Sequence, residues 1–351
     1  MTTKLKADGR PATGTDAIDR IVIAHGGGGE LTSQLLCRHV LNVLGNPTLN
    51  SLTDGAVLGA QAGSLVMTTD SFVVQPIEFP GGDIGRLAVC GTVNDLAMMG
   101  AQPIAMSLGL ILEEGLSLAV LDRVVASIAS AAKEAGATIV TGDTKVIERR
   151  GREGLLINTA GIGRQADGVR LGAERIVPGD AVILSGRIAE HGLAVMSRRE
   201  GLAFASTLVS DVAPLNGLVA AILGTGADVK FLRDPTRGGV AGVLADISRE
   251  TSWSVEVEEA RIPISQTARH AAEMLGLDPL TVANEGKLLA VVAADDADKV
   301  VAVCKAHPYG ADAACVGRIV ATRPPLVELL TEAGGRRVVQ KPYGEELPRI
   351  C

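Results

Sequence analysis

The chain has 351 residues and a formal net charge of −7, so it is too long for one ordinary hydrophobic core and too acidic for a typical nucleic-acid-binding protein. Hydrophobic residues make up 47% of the chain and aromatic residues only 2%, which predicts cores built from aliphatic side chains. No apolar run reaches the length of a membrane-spanning helix and no signal peptide is recognisable, so we expect no membrane partner.

The first half of the chain predicts alternating strands and helices. Residues 1–20 are polar and contain glycine and proline, which is typical of a flexible arm. The periodicity of apolar residues then predicts a series of elements in chain order. These are a strand at 21–24, a helix through 31–40, a strand at 65–74, a helix at 84–99, a strand at 103–112, a helix at 118–135 and strands at 137–140 and 155–163.

The second half repeats this alternation of strands and helices after a turn predicted at Val177-Pro178-Gly179-Asp180, which we interpret as a hinge between the domains. The predicted elements are strands at 181–184, 229–232, 288–292 and 314–320, and helices at 192–199, 215–223, after 239, at 266–275 and at 296–306. We therefore predict an α/β (α+β) fold with mixed sheets in two domains. The expected bounds are 21–170 and 171–340, with a mobile tail at 341–351.

The cysteines predict reduced thiols in a cytoplasmic protein, because they number five and no pair has the Cys-x-x-Cys spacing. The five histidines are scattered and predict no zinc site. Cys351 differs from the other cysteines because it ends a segment rich in proline, glycine and charge. A thiol on such a tail can be delivered into a site and withdrawn again. The alternative is a frayed end with an incidental cysteine.

Four consecutive glycines follow the first predicted strand: Gly26, Gly27, Gly28 and Gly29. A loop with so little side-chain bulk can turn its amides toward an anion such as a triphosphate. It is not a Walker A loop, since no Gly-Lys-Ser or Gly-Lys-Thr follows. The alternative is a flexible hinge.

Acidic residues give a second indication of chemistry. Asp70, Asp143 and Asp234 each follow a predicted strand, where a lone carboxylate often only caps a helix or forms a turn. Asp95, preceded by Asn94, instead lies inside an apolar helical stretch and must find partners or a metal. Carboxylates without nearby histidine or cysteine suit Mg²⁺, which prefers oxygen ligands and substrate phosphates. The pattern therefore favours a nucleoside triphosphate with Mg²⁺.

Several stretches of the sequence, taken together, identify a family. They lie at 25–29, 70–72, 79–82, 91–96, 109–115, 140–146, 158–161, 234–239, 284–287 and 348–351. In these stretches the chain resembles the HypE family of hydrogenase-maturation proteins, within the PurM-like superfamily of aminoimidazole-ribonucleotide synthetases. The aspartates belong to the wider superfamily, whereas the terminal cysteine motif and residues 141–145 are specific to HypE. Gly27 departs from the pattern, because the family often has serine there.

The resemblance implies a PurM-like two-domain fold, an ATP-binding N-terminal domain and a particular reaction. A partner carbamoyltransferase, HypF, would load a carbamoyl group onto the terminal thiol, and ATP would drive its dehydration to a thiocyanate. The cyano group would pass to iron in the HypC–HypD complex during assembly of the nickel–iron hydrogenase cofactor. The family resemblance also implies a homodimer.

The resemblance also implies roles for individual residues. Lys145 would neutralise charge on the transferring phosphoryl group, and Cys351 would carry the carbamoyl group. Glu285 would be the base for the amide protons, although it could instead orient the tail or pair with Lys287. Mg²⁺ would be held by Asp70, Asp95, Asp143 and Asp234. ATP would be bound by these residues with Gly26, Gly27, Gly28, Gly29, Asn94, Thr141, Gly142 and Thr144.

Two other readings of the sequence remain open. One is another ATP-using enzyme of the superfamily, such as a selenophosphate synthetase or a small-molecule kinase. Selenophosphate synthetases usually carry a reactive cysteine near the N-terminus, and this chain has none before Cys37. The other is a carrier that only presents Cys351, which would not need four carboxylates and a glycine loop.

Overall fold

The computed structural model describes residues 19–27, 29–52, 56, 58–59, 62–149, 154–201 and 208–341. Cys351, Gly28 and most of the predicted N-terminal arm lie outside these residues, as does nearly all of the predicted tail. Within the described part of the chain, no helix is both long and apolar enough to cross a membrane.

Helices and strands alternate along the described chain. The helices are α1 (Glu30–Leu35), α2 (Asn42–Leu44), α3 (Ile84–Met98), α4 (Leu118–Ala135), α5 (Glu190–Arg199), α6 (Asn216–Leu223), α7 (Gly239–Thr251), α8 (Gln266–Leu275) and α9 (Ala297–Ala306). The strands are β1 (Leu65–Phe72), β2 (Glu78–Phe79), β3 (Gly82–Asp83), β4 (Ala101–Glu113), β5 (Ile139–Ile147), β6 (Leu155–Gln165), β7 (Ala181–Leu184), β8 (Val229–Arg233), β9 (Ser254–Glu258), β10 (Leu289–Val292), β11 (Ala314–Val320), β12 (Val327–Leu330) and β13 (Arg336–Val339). A π-helical segment, Leu36–Leu41, joins α1 to α2.

The first sheet has the strand order β1-β6-β4-β5. β4 and β5 are parallel, with α4 as the crossover between them, whereas the other neighbouring strands are antiparallel. α3 is buried on nearly all sides, which explains why its sequence is apolar throughout instead of striped. This sheet and its helices form the first core.

The opposite face of this sheet, which we call the open face, carries exposed or half-buried side chains. Exposure alternates along β1, where Met67 is 72% exposed. Strand register and the alternation of side chains place the other members of this face on the same side of the sheet as the exposed β1 residues. The open face comprises Leu65, Met67, Thr69, Ser71, Ser107, Gly109, Ile111, Thr141, Asp143, Lys145, Asn158, Ala160 and Ile162.

The second sheet has seven strands in the order β13-β12-β9-β11-β7-β10-β8. β7 and β10 are neighbouring interior strands of this sheet and are buried on both faces, so their sequences are continuous apolar runs. Val182 and Leu184 belong to one core and Ile183 to the other, as the alternation of a strand requires. The α/β fold class with mixed sheets, predicted from the sequence, is thereby confirmed.

Some predicted elements differ from the structure. The expected strand at 21–24 is wrong: Ile23–Gly26 is a 3₁₀-helix, and the Val22 amide donates to Nδ1 of His25 instead of to a neighbouring strand. β5 continues to Ile147, so Asp143 lies inside a strand and does not follow one. Asp70 likewise lies inside β1. Both strands are edges of the sheet, where polar side chains are tolerated.

Candidate active site

One cavity of about 220 Å³ gathers most of the predicted acidic residues. It lies where the end of β1, the middle of α3 and the loops after β8 and before β10 meet. Its lining consists of Thr69, Asp70, Gly91, Asp95, Asp234, Thr236, Arg237 and Glu285. We call it the carboxylate cavity.

The approach of α3 to β1 places two of these carboxylates side by side. A Cβ atom on Gly91 would lie 2.8 Å from the Phe72 ring, so only glycine permits this contact without a shift. One turn further along α3, Asp95 accepts a hydrogen bond of 2.7 Å from the Thr68 hydroxyl of β1. Asp95 therefore has the partner that a carboxylate inside an apolar helix requires.

Asn94, predicted to bind the nucleotide, is buried and faces the protein. Its side-chain amide donates to the carbonyl oxygens of Ala213 and Glu285, at 3.1 and 3.2 Å, and its oxygen accepts from the Leu215 amide at 2.7 Å. This geometry favours a structural role, in which Asn94 ties α3 to the loop that carries Glu285.

A buried ion pair also shapes the loop that carries Glu285. Asp211 and Lys287 lie 3.2 Å apart with side chains only 1% and 12% exposed. Asp211 accepts from the Glu285 amide at 3.1 Å, and Lys287 donates to the Gly286 carbonyl at 3.1 Å. A Cβ atom on Gly286 would lie 1.7 Å from the Asp211 carbonyl oxygen, so the two segments touch through their backbones. These contacts fix where Glu285 enters the cavity.

Burial and mutual repulsion disfavour negative charge in this cavity. Burial, followed by the charge of Asp95, raises the pKa of Asp234 to about 7. Burial is also the main reason why the pKa of Asp95 is raised and that of Glu285 lies well above its usual value. Oε1 of Glu285 is buried without a hydrogen-bond partner. The nearest cationic contact is Nη2 of Arg237, 3.6 Å from Asp70.

These features fit a divalent cation only in combination with further oxygen ligands. Among the described residues, no three acidic, histidine or cysteine side chains are close enough to hold one metal ion together. Mg²⁺ commonly binds through one or two carboxylates plus substrate phosphates. A cluster of hydrogen-bond acceptors with raised pKa values suits such an ion, because the cation would relieve the repulsion.

The remaining predicted residues lie at the other edge of the same sheet. The strand register pairs Asp70 with Thr159, Thr159 with Leu108, and Leu108 with Gly142. Asp70 and Gly142 therefore lie in one row that runs across the sheet. Three strand spacings separate them, or about 14 Å. Asp143 points to the opposite face from Asp70, since successive side chains alternate. A single chain therefore does not bring Asp143 to the other three aspartates.

The β5 edge forms a group of its own. The Asp143 carboxylate lies 3.7 Å from the Lys145 ammonium, and both are mostly exposed. Gly26 packs against this strand, where a Cβ atom would lie 2.9 Å from Cβ of Val146. Gly29 is the N-cap of α1, directly after the glycine loop. Thr141, Gly142 and Thr144 line a largely apolar cavity of about 160 Å³ under α1 and α2.

Comparisons with known proteins decide the family. Residues 52–165 match the family described as AIR synthase related protein, N-terminal domain, and residues 177–327 match the corresponding C-terminal domain. The carbamoyl dehydratase HypE of Rhizobium leguminosarum bv. viciae is 48% identical over 333 residues, covering 95% of each chain. The chain belongs to the HypE family of carbamoyl dehydratases.

Solved structures of HypE proteins agree with this assignment. A hydrogenase maturation protein HypE in complex with ATP has a TM-score of 0.90 and 42% identity, covering 94% of this chain and 99% of its own. A HypE in a HypE–HypF complex has a TM-score of 0.77 and 43% identity, covering 90% and 100%. The family predicted from the sequence is confirmed, and the chain is an enzyme of the carbamoyl dehydratase class.

In this HypE-family chain, sequence reasoning missed residues that the structure places at the site. Thr236 and Arg237 line the carboxylate cavity and belong to a stretch that was used only to recognise the family. The signal was a cation, Arg237, three residues after Asp234, which directly follows a strand. Asp211 was also missed, because nothing in its local sequence links it to a loop more than 70 residues away.

Proposed function

We propose that the protein uses ATP to dehydrate a carbamoyl group on Cys351 to a thiocyanate, which supplies the cyanide ligand of iron during [NiFe]-hydrogenase maturation. The observation that carries this proposal is the carboxylate cavity, in which metal-type aspartates and a buried glutamate with a raised pKa lie together. The related HypE that was solved with ATP supports nucleotide binding.

The chemistry follows from the weakness of an amide oxygen as a leaving group. The γ-phosphate of ATP is transferred to that oxygen, and the C–O bond then breaks with release of phosphate. Loss of both N–H protons leaves S–C≡N, so thiocarbamate and ATP give thiocyanate, ADP, phosphate and one proton. Glu285 accepts a proton from nitrogen, because a carboxylate with a raised pKa is a stronger base than an ordinary one.

Asp70, Asp95 and Asp234 would supply Mg²⁺ with one or two carboxylate ligands at a time, and phosphate oxygens would supply the others. When bound, the ion neutralises charge on the phosphates. Arg237 lies at the exposed rim of the same cavity, where its guanidinium can contact a phosphate. Asn94 orients the loop of Glu285 from behind.

In a homodimer, residues at the β5 edge of one chain could contribute to the ATP site. The open face combines exposed apolar side chains with Asp143 and Lys145, a mixture suited to burial against a second copy. In a two-fold dimer each contact occurs twice, so the β5 edge of one chain can approach the β1 edge of its partner. On this proposal Asp143 and Lys145, with Gly26, Gly27, Gly28, Gly29, Thr141, Gly142 and Thr144, serve ATP bound near the interface.

The partners follow from the reaction. A HypF carbamoyltransferase loads Cys351, as the related HypE–HypF complex suggests, and a HypC–HypD complex receives the cyano group. The domain bounds 21–170 and 171–340, the mobile tail and the cytoplasmic location belong to the same proposal.

Mass spectrometry of the C-terminal peptide tests the reaction. After incubation with HypF, carbamoyl phosphate and ATP, the peptide ending at Cys351 should gain the mass of a cyano group less that of the thiol hydrogen it replaces, and the peptide of Cys351→Ala should gain nothing. Asp95→Asn should bind Mg·ATP poorly, whereas Glu285→Gln should bind it normally and dehydrate about 10²- to 10⁴-fold more slowly. Thiocyanate formed at the normal rate by Glu285→Gln would remove Glu285 from the mechanism, and Lys145 would be tested next.

A further inference from the structure

Residues 208–215, which we call the Asp211 segment, carry the carboxylate that holds the loop of Glu285. Asp211 accepts from the Glu285 amide at 3.1 Å and pairs with Lys287 at 3.2 Å. These contacts place Glu285 only if the segment is itself held in place. The position of Glu285 therefore depends on what holds the two residues that flank Asp211 in the chain.

Backbone contacts hold the Asp211 segment on the side of Ser210. The Ser210 amide donates to the Pro80 carbonyl oxygen at 2.7 Å. Gly81 has a φ of +89°, and a Cβ atom there would lie 2.8 Å from both the nitrogen and the oxygen of Ser210. On this side, two main chains in direct contact fix the segment.

The side chain of Arg86, on α3, holds the other flank of Asp211. Its Nε donates to the Val212 carbonyl oxygen at 3.0 Å. Its Nη1 and Nη2 lie 2.7 and 3.4 Å from the two carboxylate oxygens of Glu134 on α4, and the Tyr309 hydroxyl donates to the same carboxylate. The hydrogen bond from Arg86 outweighs burial and lowers the pKa of Glu134, which therefore stays charged. The guanidinium is thus held in one orientation, with Nε directed at Val212.

Arg86 and Asn94 reach the Asp211 segment from the same stripe of α3, since they are eight residues apart. Asn94 bonds to Ala213 and Leu215. The Arg86 side chain is only 21% exposed, so water competes little for its bond to the segment. Arg86 does not line the carboxylate cavity, so it can act on the reaction only through the residues that it holds.

We propose that Arg86 is a positioning residue for Glu285. Its Nε fixes the Val212 carbonyl group and thereby the adjacent Asp211, which holds the Glu285 amide. The benefit to the reaction rests on the proposed role of Glu285 as the base, whereas the control of its position does not. A displacement of about 1 Å near a reacting group can cost about 100-fold in rate, so a small shift of the segment is sufficient to slow the reaction.

Two substitutions of Arg86 isolate its hydrogen bond to Val212. Arg86→Met and Arg86→Gln both remove the ion pair with Glu134, but Nε2 of glutamine stands as many bonds from Cα as Nε of arginine and keeps a donor toward Val212. Arg86→Met should lower the dehydration rate by about 10- to 100-fold with ATP affinity unchanged, whereas Arg86→Gln should stay within about three-fold of the wild type. Arg123→Met removes a comparable arginine–glutamate pair, with Glu78, and should change neither the rate nor the affinity.

A double variant shows whether Arg86 acts through Glu285. Adding Arg86→Met to Glu285→Gln should slow dehydration no further, because the group that Arg86 positions is already gone. A further loss of about 10-fold in the double variant would overturn the proposal, since Arg86 would then act by another route. Equal dehydration rates for Arg86→Met and Arg86→Gln would overturn it as well.

Hydrogen exchange followed by mass spectrometry tests the positioning without any turnover. The Glu285 amide should exchange about two- to ten-fold faster in Arg86→Met than in Arg86→Gln, because its bond to Asp211 is weakened, while the amides of β4 stay unchanged. If the wild type forms no thiocyanate but shows this difference, the proposed function fails and the positioning stands. If Glu285→Gln is slow but the two Arg86 variants exchange equally, the positioning fails and the proposed function stands.

Discussion

Lys287→Met is the sharpest test of how the site is held together. The substitution removes the cation from a buried pair and leaves Asp211 charged with its side chain 1% exposed. Breaking a buried pair in this way costs about 3–5 kcal/mol. For domains of this size, that loss lowers Tm by about 6–20 °C. Because Asp211 also accepts from the Glu285 amide, the loop that presents Glu285 should shift and the dehydration rate should fall as well.

Differential scanning calorimetry measures this effect, and two variants control it. Lys299→Met removes a lysine from an exposed pair with Asp296 and should barely change Tm, since such pairs contribute little. Adding Asp211→Asn to Lys287→Met removes the stranded charge and should recover part of the loss. If Lys287→Met unfolds at the same temperature as Lys299→Met, the buried pair does not stabilise the loop and the reasoning is refuted.

Three other predictions follow from the same structure. Because the pKa of Asp234 is about 7 in the folded protein, against about 4 when unfolded, the folded state binds the extra proton and stability falls as pH rises from about 4 to 7. Asp234→Asn should lessen that slope in Tm measured from pH 5 to 8, with the remainder due to Asp95 and Glu285, and an unchanged slope would assign it wholly to other groups. Gly91→Ala should cost about 1–3 kcal/mol by pushing α3 off Phe72, to be measured by urea unfolding, and no loss would mean that the contact relaxes freely. The protein should be a dimer by light scattering, and Met67→Glu with Ile162→Glu on the open face should give a monomer, whereas the exposed Met274→Glu on α8 should not.

The sequence was sufficient to predict those helices and strands whose pattern of apolar residues reflects what they bury. The stripe of α4 and the continuous apolar runs of β7 and β10 follow directly from what each element buries. In the second sheet, β9, β12 and β13 were missed because they are four or five residues long and mix charged with apolar residues. The alternation of Val255 and Val257 in β9 was nevertheless a usable signal.

The residues of the candidate site likewise fall into those that local sequence predicts and those that depend on contacts between distant segments. Asp95 was predictable because a charge among apolar helical neighbours is costly unless it has a partner. The separation of Asp143 from Asp70 was not predictable, because it depends on strand order, which local sequence does not contain. The contacts of Asn94 and Asp211 were hidden for the same reason, since both join segments far apart in the chain.

The predicted site residues form two groups, one around Asp70 and one around Asp143, and small movements within one chain cannot bring the two groups together. Asp70 is fixed by β1 on the helix-covered side of the sheet, and Asp143 by β5 on the open face, so no change of side-chain rotamer brings them together. Moving either strand would break a ladder of backbone hydrogen bonds. If both groups bind one nucleotide, the second group must therefore come from another copy of the chain. Leu65 and Met67, the exposed apolar side chains of β1, lie on the same open face as Asp143, so a copy that packed on this face would complete the site and bury the face in a single event.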